Sequence, residues 1–199
     1  MKTYGDEDFI FLANELENQR NKQEEPEYEN HINDGYIIIA HTKFPFKEEV
    51  ISDDEFSMIL PEMFSVMSHE MAQIKYPSQS RPDFILTNPE TTINLTFFHK
   101  DDEVTNADIE EVKNAIQEIM MRLHPTSKVI DSTVIEVQER NIAYFDFVSS
   151  AIDTNVYNLM FFFSLSGTLL MGSFNCLHQD MDDWKEIFIQ MLQSVKFLS

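Results

Sequence analysis

The chain has 199 residues, 43% of them apolar and 12% aromatic, and its 35 Asp and Glu against 14 Lys and Arg leave a net charge of -21. That length suits one domain with a full hydrophobic core, or one domain with a tail, and the apolar content excludes a disordered chain. The charge argues against binding a nucleic-acid backbone and favours a basic or apolar protein partner, while a single cysteine excludes an internal disulfide and suits a reducing compartment.

The first residues, MKTYGDEDFIFL, hold neither a basic segment nor an apolar run of export length, and no stretch of about 18 apolar residues comes after them. The chain is therefore expected to be cytoplasmic, without membrane insertion. Residues 1–34 are dominated by acidic and amide side chains and are expected to form an extension separate from a domain at 35–199. Within them the pattern predicts a helix near Asp8 to Lys22, docking through Phe9, Phe11, Leu12 and Leu16, then a link around Glu24 to Asp34.

From Gly35 the pattern turns to strands. GYIIIAHTKF and EFSMIL each close on a proline, Pro45 and Pro61, and Pro77, Pro82 and Pro89 divide the next residues into MAQIKY, DFILTN and TTINLTFFH. A helix comes after these, capped by Thr105 or Asn106. Ile109, Val112, Ile116, Ile119, Met120 and Leu123 recur on one side, Glu110, Glu111, Lys113 and Glu118 on the other, and Pro125 stops it. A meander comes next: SKVIDSTVIEVQE, a turn at Arg140-Asn141, IAYFDFVSSAI, VYNLMFFFSL, a turn at Ser166-Gly167, and TLLMGSFNCL. The run Tyr157 to Leu165 is apolar on both faces, as in a central strand covered on both sides. The last helix starts near Asp180 and carries the stripe Trp184, Ile187, Phe188, Met191, Leu192 and Val195. These pieces predict an α+β fold: an antiparallel sheet of about six to eight strands flanked by helices.

Taken in order, EFSMILPEMF, YPSQSRPDFILTNPETTINLTF, the helix, YFDFVSSAIDTNVYNLMFFFSLSGTLLMGSFNC and the closing WKEIFIQMLQSVKF resemble bacterial members of the Mog/PsbP-like fold over about residues 35–199. The resemblance implies an α/β/α sandwich. It also implies a role in binding other proteins or assembling complexes, since members whose roles are understood act that way and some related bacterial domains resemble chaperones for secreted effectors. It carries no catalytic signature, so no site residue transfers from it.

Cys176-x-His178-x-Asp180 is the one constellation with the look of chemistry. Alternation along TLLMGSFNC places Cys176 with Phe174, Gly172 and Leu170, an apolar face that buries a thiol and raises its pKa. His178 then falls in a loop and Asp180 at the cap of the final helix, which makes the motif a strand-to-helix junction. No metal or cofactor is expected: a zinc site lacks ligands, HKDDEVTNAD lacks the turn glycine of a calcium loop, and four glycines offer little for a phosphate cradle. Asn94-Leu95-Thr96 reads as a strand segment despite its glycosylation pattern.

For binding, the spacing of Met58, Met63, Met67 and Met71 brings several of them onto one side if PEMFSVMSHEM is helical, with Phe64 nearby, and methionine clusters suit adaptable surfaces, although the same stripe would also dock such a helix on the sheet. Arg81, in the polar loop PSQSRP, is expected to pair with a carboxylate. The sequence thus points to a non-catalytic intracellular protein-interaction module, an adaptor or an effector chaperone. The alternative is an enzyme or small-ligand protein with its site in a cleft under the helices.

Overall fold

The computed structural model describes residues 29–51, 55–78, 81–150 and 154–198; the helix expected near Asp8 to Lys22 lies outside them. Strands β1 (Tyr36–Ile39), β2 (Thr42–Ile51), β3 (Phe56–Pro61) and β4 (Ser65–Val66) precede a short helix, α1 (His69–Lys75). Then come β5 (Phe84–Thr87), β6 (Asn94–Glu103), α2 (Ile109–Leu123) and the meander β7 (Val129–Val137), β8 (Arg140–Ser150), β9 (Asn155–Leu165) and β10 (Thr168–Leu177). Helix α3 (Met181–Gln193) and β11 (Lys196–Phe197) close the chain.

The expected antiparallel sheet is present with seven strands, in the order β4-β5-β6-β10-β9-β8-β7. A second antiparallel sheet of four strands, β1-β2-β3-β11, was not expected and packs on one face of the first. It was hidden because GYIIIAHTKF reads as one strand, whereas Ala40 and His41, with φ of 46° and 62°, fold it into a hairpin. Both turn residues are left-handed, the type I′ pattern that matches strand twist. The same turn falls at Gln138-Glu139, with φ of 51° and 63°, two residues before the expected Arg140-Asn141, and at Ser166-Gly167, where expected. Only the last of the three contains glycine, so the other two lacked the usual sequence signal.

The two faces of β9 organise the core. Tyr157, Leu159, Phe161, Phe163 and Leu165 point to a large core closed by α3 and the small sheet. Met160 and Phe162 point the other way, to a second core closed by α2 with Ile109, Val112, Ile116 and Met120. All six residues of the stripe expected on and after α3 are buried. The stripe on α2 is wider than the strip of sheet it covers, and Ile119 and Leu123 are exposed. Lys113, assigned by spacing to the polar side, is buried instead: its stem lies under the helix and its Nζ reaches Ser132 Oγ at 2.7 Å, as long cationic side chains do when they run along an apolar surface.

Termini of the elements are set by local hydrogen bonding. Thr105 starts the 3-10 turn Asn106–Asp108 that leads into α2, its N–H and hydroxyl donating to the Asp108 carboxylate at 2.9 and 2.5 Å, while Asn106 Oδ1 accepts from Asn141 N–H at 2.6 Å. Asp180 occupies the cap position of α3 as expected, yet its side chain makes no capping hydrogen bond, because a 3-10 turn at His178–Asp180 already leads into the helix. Asn30 to Asp34, expected as part of a link, is docked on the fold. Ile32 is in the core, and Asn30 exchanges side-chain hydrogen bonds with the Ile38 backbone at 2.7 and 2.8 Å.

Gly172 on β10 pairs with Phe161 on β9, and a Cβ placed there would lie 2.1 Å from the Phe161 ring. That ring also meets Phe97 and Phe174 at centroid distances of 6.0 and 5.4 Å. Gly172→Ala is therefore expected to displace the ring and destabilise the fold by roughly 1–3 kcal/mol, visible as a lower urea midpoint with an unchanged slope.

Candidate functional site

The Cys176 junction forms as the alternation predicted. Its face carries Leu170, Gly172, Phe174 and Cys176, all buried, and the strand ends at Leu177. Burial first, then the carboxylates of Asp180 and Asp183, push the thiol up to about 12. Cys176 pairs across the sheet with Tyr157, whose hydroxyl donates to Asp146 Oδ2 at 2.7 Å.

Asp146 is the residue that pattern reading passed over. It is fully buried, and four groups converge on it or its neighbour. Asp131 N–H donates to Asp146 Oδ1 at 2.6 Å, Lys185 Nζ lies 2.8 Å from Oδ2, and Tyr144 donates its hydroxyl to Asp131 Oδ2 at 3.2 Å. A signal did exist: in IAYFDFV, alternation puts Asp146 on the same face as Tyr144 and Val148, an acid on a core face that must find partners. Burial, reinforced by these carboxylates, raises the Tyr144 phenol to about 12 and moves Tyr157 further upward. Chemically the cluster is a closed one. Its cation comes from α3, its amide from β7 and its hydroxyl from β9, so it ties three elements together.

The methionines do not assemble into one surface. PEMFSVMSHEM is not a single helix: the chain turns after Pro61, forms β4, and only then enters α1, where the Ser68 hydroxyl accepts from Met71 N–H at 3.3 Å. Met58 is buried in the large core, and Met63 and Phe64 pack against it half-buried. Met67 is buried in a separate small cluster with Ala72 and Ile85, and Met71 packs half-buried on that cluster. Arg81 is also half-buried. Its Nη1 has no hydrogen-bond partner among the described residues, and the carboxylate expected to pair with it is not found there.

Among the described residues, concavities reach solvent along α3 and beside β2. Along α3, cavities of about 570 and 890 Å³ share His31, Gln190 and Gln193 and form one groove. One end is lined by Glu29, Asp182, Asp183 and Glu186, the other by Glu136, Gln138 and Lys196. Gln190 fixes its wall by accepting from Ile32 N–H and donating to the Asn30 carbonyl, both at 3.0 Å. At the β2 edge of the small sheet, a cleft of about 350 Å³ is formed by Val50 and Ile51 on β2 facing Asp83, Phe84, Phe97, His99 and Leu170. There the Asp83 carboxylate accepts from His99 N–H at 2.8 Å, and His99 Nε2 contacts Thr168 Oγ1 at 2.7 Å. Among the described residues, no three His, Cys, Asp or Glu side chains gather as metal ligands, and no helix is long and apolar enough to cross a membrane.

No protein-family profile matches the chain, and no curated protein matches it significantly. Solved structures do. The cyanobacterial PsbP protein CyanoP from Synechocystis sp. PCC 6803 superposes with a TM-score of 0.56 at 12% identity, covering 76% of this chain and 92% of that one. LpqN of Mycobacterium tuberculosis, a protein involved in cell envelope biogenesis, superposes with a TM-score of 0.51 at 8% identity, covering 81% of this chain and 98% of its own. The fold is thus PsbP-like, as the order of its pieces implied.

The buried cluster has measurable consequences. Asp146→Asn leaves Lys185 and Tyr157 without their anion and should cost about 3 kcal/mol in urea unfolding. Cys176, Tyr144 and Tyr157 all hold their protons more tightly folded than unfolded, so their contribution is complete below about pH 9 and is lost as pH rises toward 12. The unfolding midpoint should fall across that window, and Cys176→Ala, at about 1–2 kcal/mol for its cavity, should shift part of that fall. Iodoacetamide at pH 8 should modify Cys176 about 1,000-fold more slowly in the folded chain than in urea.

Proposed function

We propose that the chain is a non-catalytic protein-interaction module, an adaptor or an effector chaperone, working in the cytoplasm through its surface concavities. The residues before Glu29 serve as an acidic extension, and Asn30 to Asp34 join it to the domain at 35–199 by docking on the fold. The observation that supports this most is the separation between interior and surface. Cys176, Tyr157 and Asp146 are sealed beneath α3, with the Asp146 carboxylate bound by Tyr157, Asp131 and Lys185. The surface presents a groove of carboxylates and amides on one side and an apolar cleft on the other.

Such a surface suits recognition. Carboxylates along α3 and the net charge of -21 draw a basic partner in, and apolar contacts hold it once it has arrived. Met63, Phe64, Met71 and Arg81, each partly open to solvent, are proposed as further contacts, whereas Met67 is confined to packing by its burial. The catalytic or small-ligand alternative would use the cleft beside β2, where Asp83 and His99 are both held by hydrogen bonds within the fold.

Affinity capture from the native host at low salt should recover one dominant basic protein, released as ionic strength is raised past about 0.5 M because the attraction is screened. Recovery of no specific protein at low salt would overturn the proposal.

A further inference from the structure

We infer that the free edge of β2, with the cleft beside it, receives an extended segment of a protein partner in which apolar and basic residues alternate. The inference rests on the protein-binding reading above and names its site and the chemistry of its partner.

The edge is created by unequal strand lengths. β1 pairs only with Thr42 to Pro45 of β2, and Phe46 N–H then donates to the Gly35 carbonyl at 2.9 Å. β3 continues on the other side as far as Ile51. From Lys47 to Ile51 the outer edge of β2 therefore meets no strand among the described residues. Five residues span about 17 Å, and the outward N–H and C=O groups of alternate residues are a template for an added strand.

Lys47, Glu48 and Glu49 charge the start of this edge, but Val50 stands on it 53% exposed, an apolar side chain open to a partner. Beside it the cleft of about 350 Å³ is walled by Ile51, Phe84, Phe97 and Leu170 and has room for one large apolar side chain. An added strand would direct alternate residues into that cleft and the others toward its rim.

Charge sets the second half of the alternation. Glu48 and Glu49 are paired, with Lys196 at 2.7 Å and Lys47 at 2.5 Å. The rim carries Asp83, which is exposed. Among the described residues no lysine or arginine lines the cleft, and the chain as a whole is strongly negative, so the residues flanking the apolar anchor are basic.

The test is amide NMR on the full chain, titrated with a blocked hexapeptide of alternating valine and lysine, and in parallel with one of alternating valine and glutamate. The valine-lysine probe is expected to shift the amides of Lys47 to Ile51 and His99 saturably and to slow their hydrogen exchange. The glutamate probe should bind at least tenfold more weakly. Val50→Lys, a surface change that should leave the remaining amide spectrum intact, should weaken the valine-lysine probe at least tenfold.

Saturable binding that leaves Lys47 to Ile51 unmoved, equal binding by Val50→Lys, or no binding at millimolar probe would overturn the site. The protein-binding reading would survive any of these, because it falls only if capture from the host recovers nothing specific.

Discussion

Strand β9 is the constraint on which the rest of the molecule depends. Its residues alternate between two faces, and both are apolar, with Tyr157, Leu159, Phe161, Phe163 and Leu165 on one side and Met160 and Phe162 on the other. Each aromatic ring removes about 150–250 Å² from water, worth roughly 4–6 kcal/mol gross at about 25 cal/mol per Å². Neither face of such a strand can be left wet, so the chain must return twice over the sheet. It does so with α2 after β6, and with α3 together with the small sheet on the opposite face. The layered fold is the consequence.

Within that apolar sandwich Asp146 is the one buried acid among the described residues, and its position explains why the layers settle in a single register. Its carboxylate is met by a cation from α3, a hydroxyl from β9 and an amide at the irregular start of β7. A buried ion pair adds little net stability by itself, but a mispacked arrangement would leave its charges without partners, so it penalises alternatives. Phe161 over Gly172 acts similarly by shape: the ring fills the volume that any other residue on β10 would need.

The interior and the surface are constrained differently, which bears on function. A likeness at 12% identity is a likeness of fold, and a fold does not by itself fix what the exposed side chains do. The surface features of this chain are the groove along α3, the cleft at β2 and the charge around them. The groove and the cleft arise where secondary elements stop short. β1 is too brief to cover β2, and the segment at Asn30 to Asn33 leaves one flank of α3 open.

Side-chain period alone, two along the strands and 3.6 along α3, was enough to determine the two faces of β9, the burial of Cys176, the stripe on α3 and hence an α+β fold with a sheet covered on both sides. Side-chain period is a local property of the backbone, and it can be read without knowing what lies opposite. The small sheet, the division of Met58, Met63, Met67 and Met71 between separate clusters, the burial of Lys113 and the partners of Asp146 were decided only by the tertiary structure. Each depends on a turn or a strand end set by contacts far along the chain: Ala40-His41 reverses direction without glycine, and Lys185 meets Asp146 across 39 positions. The candidate site belongs to this second group, because a free strand edge is defined by the neighbour that ends too soon.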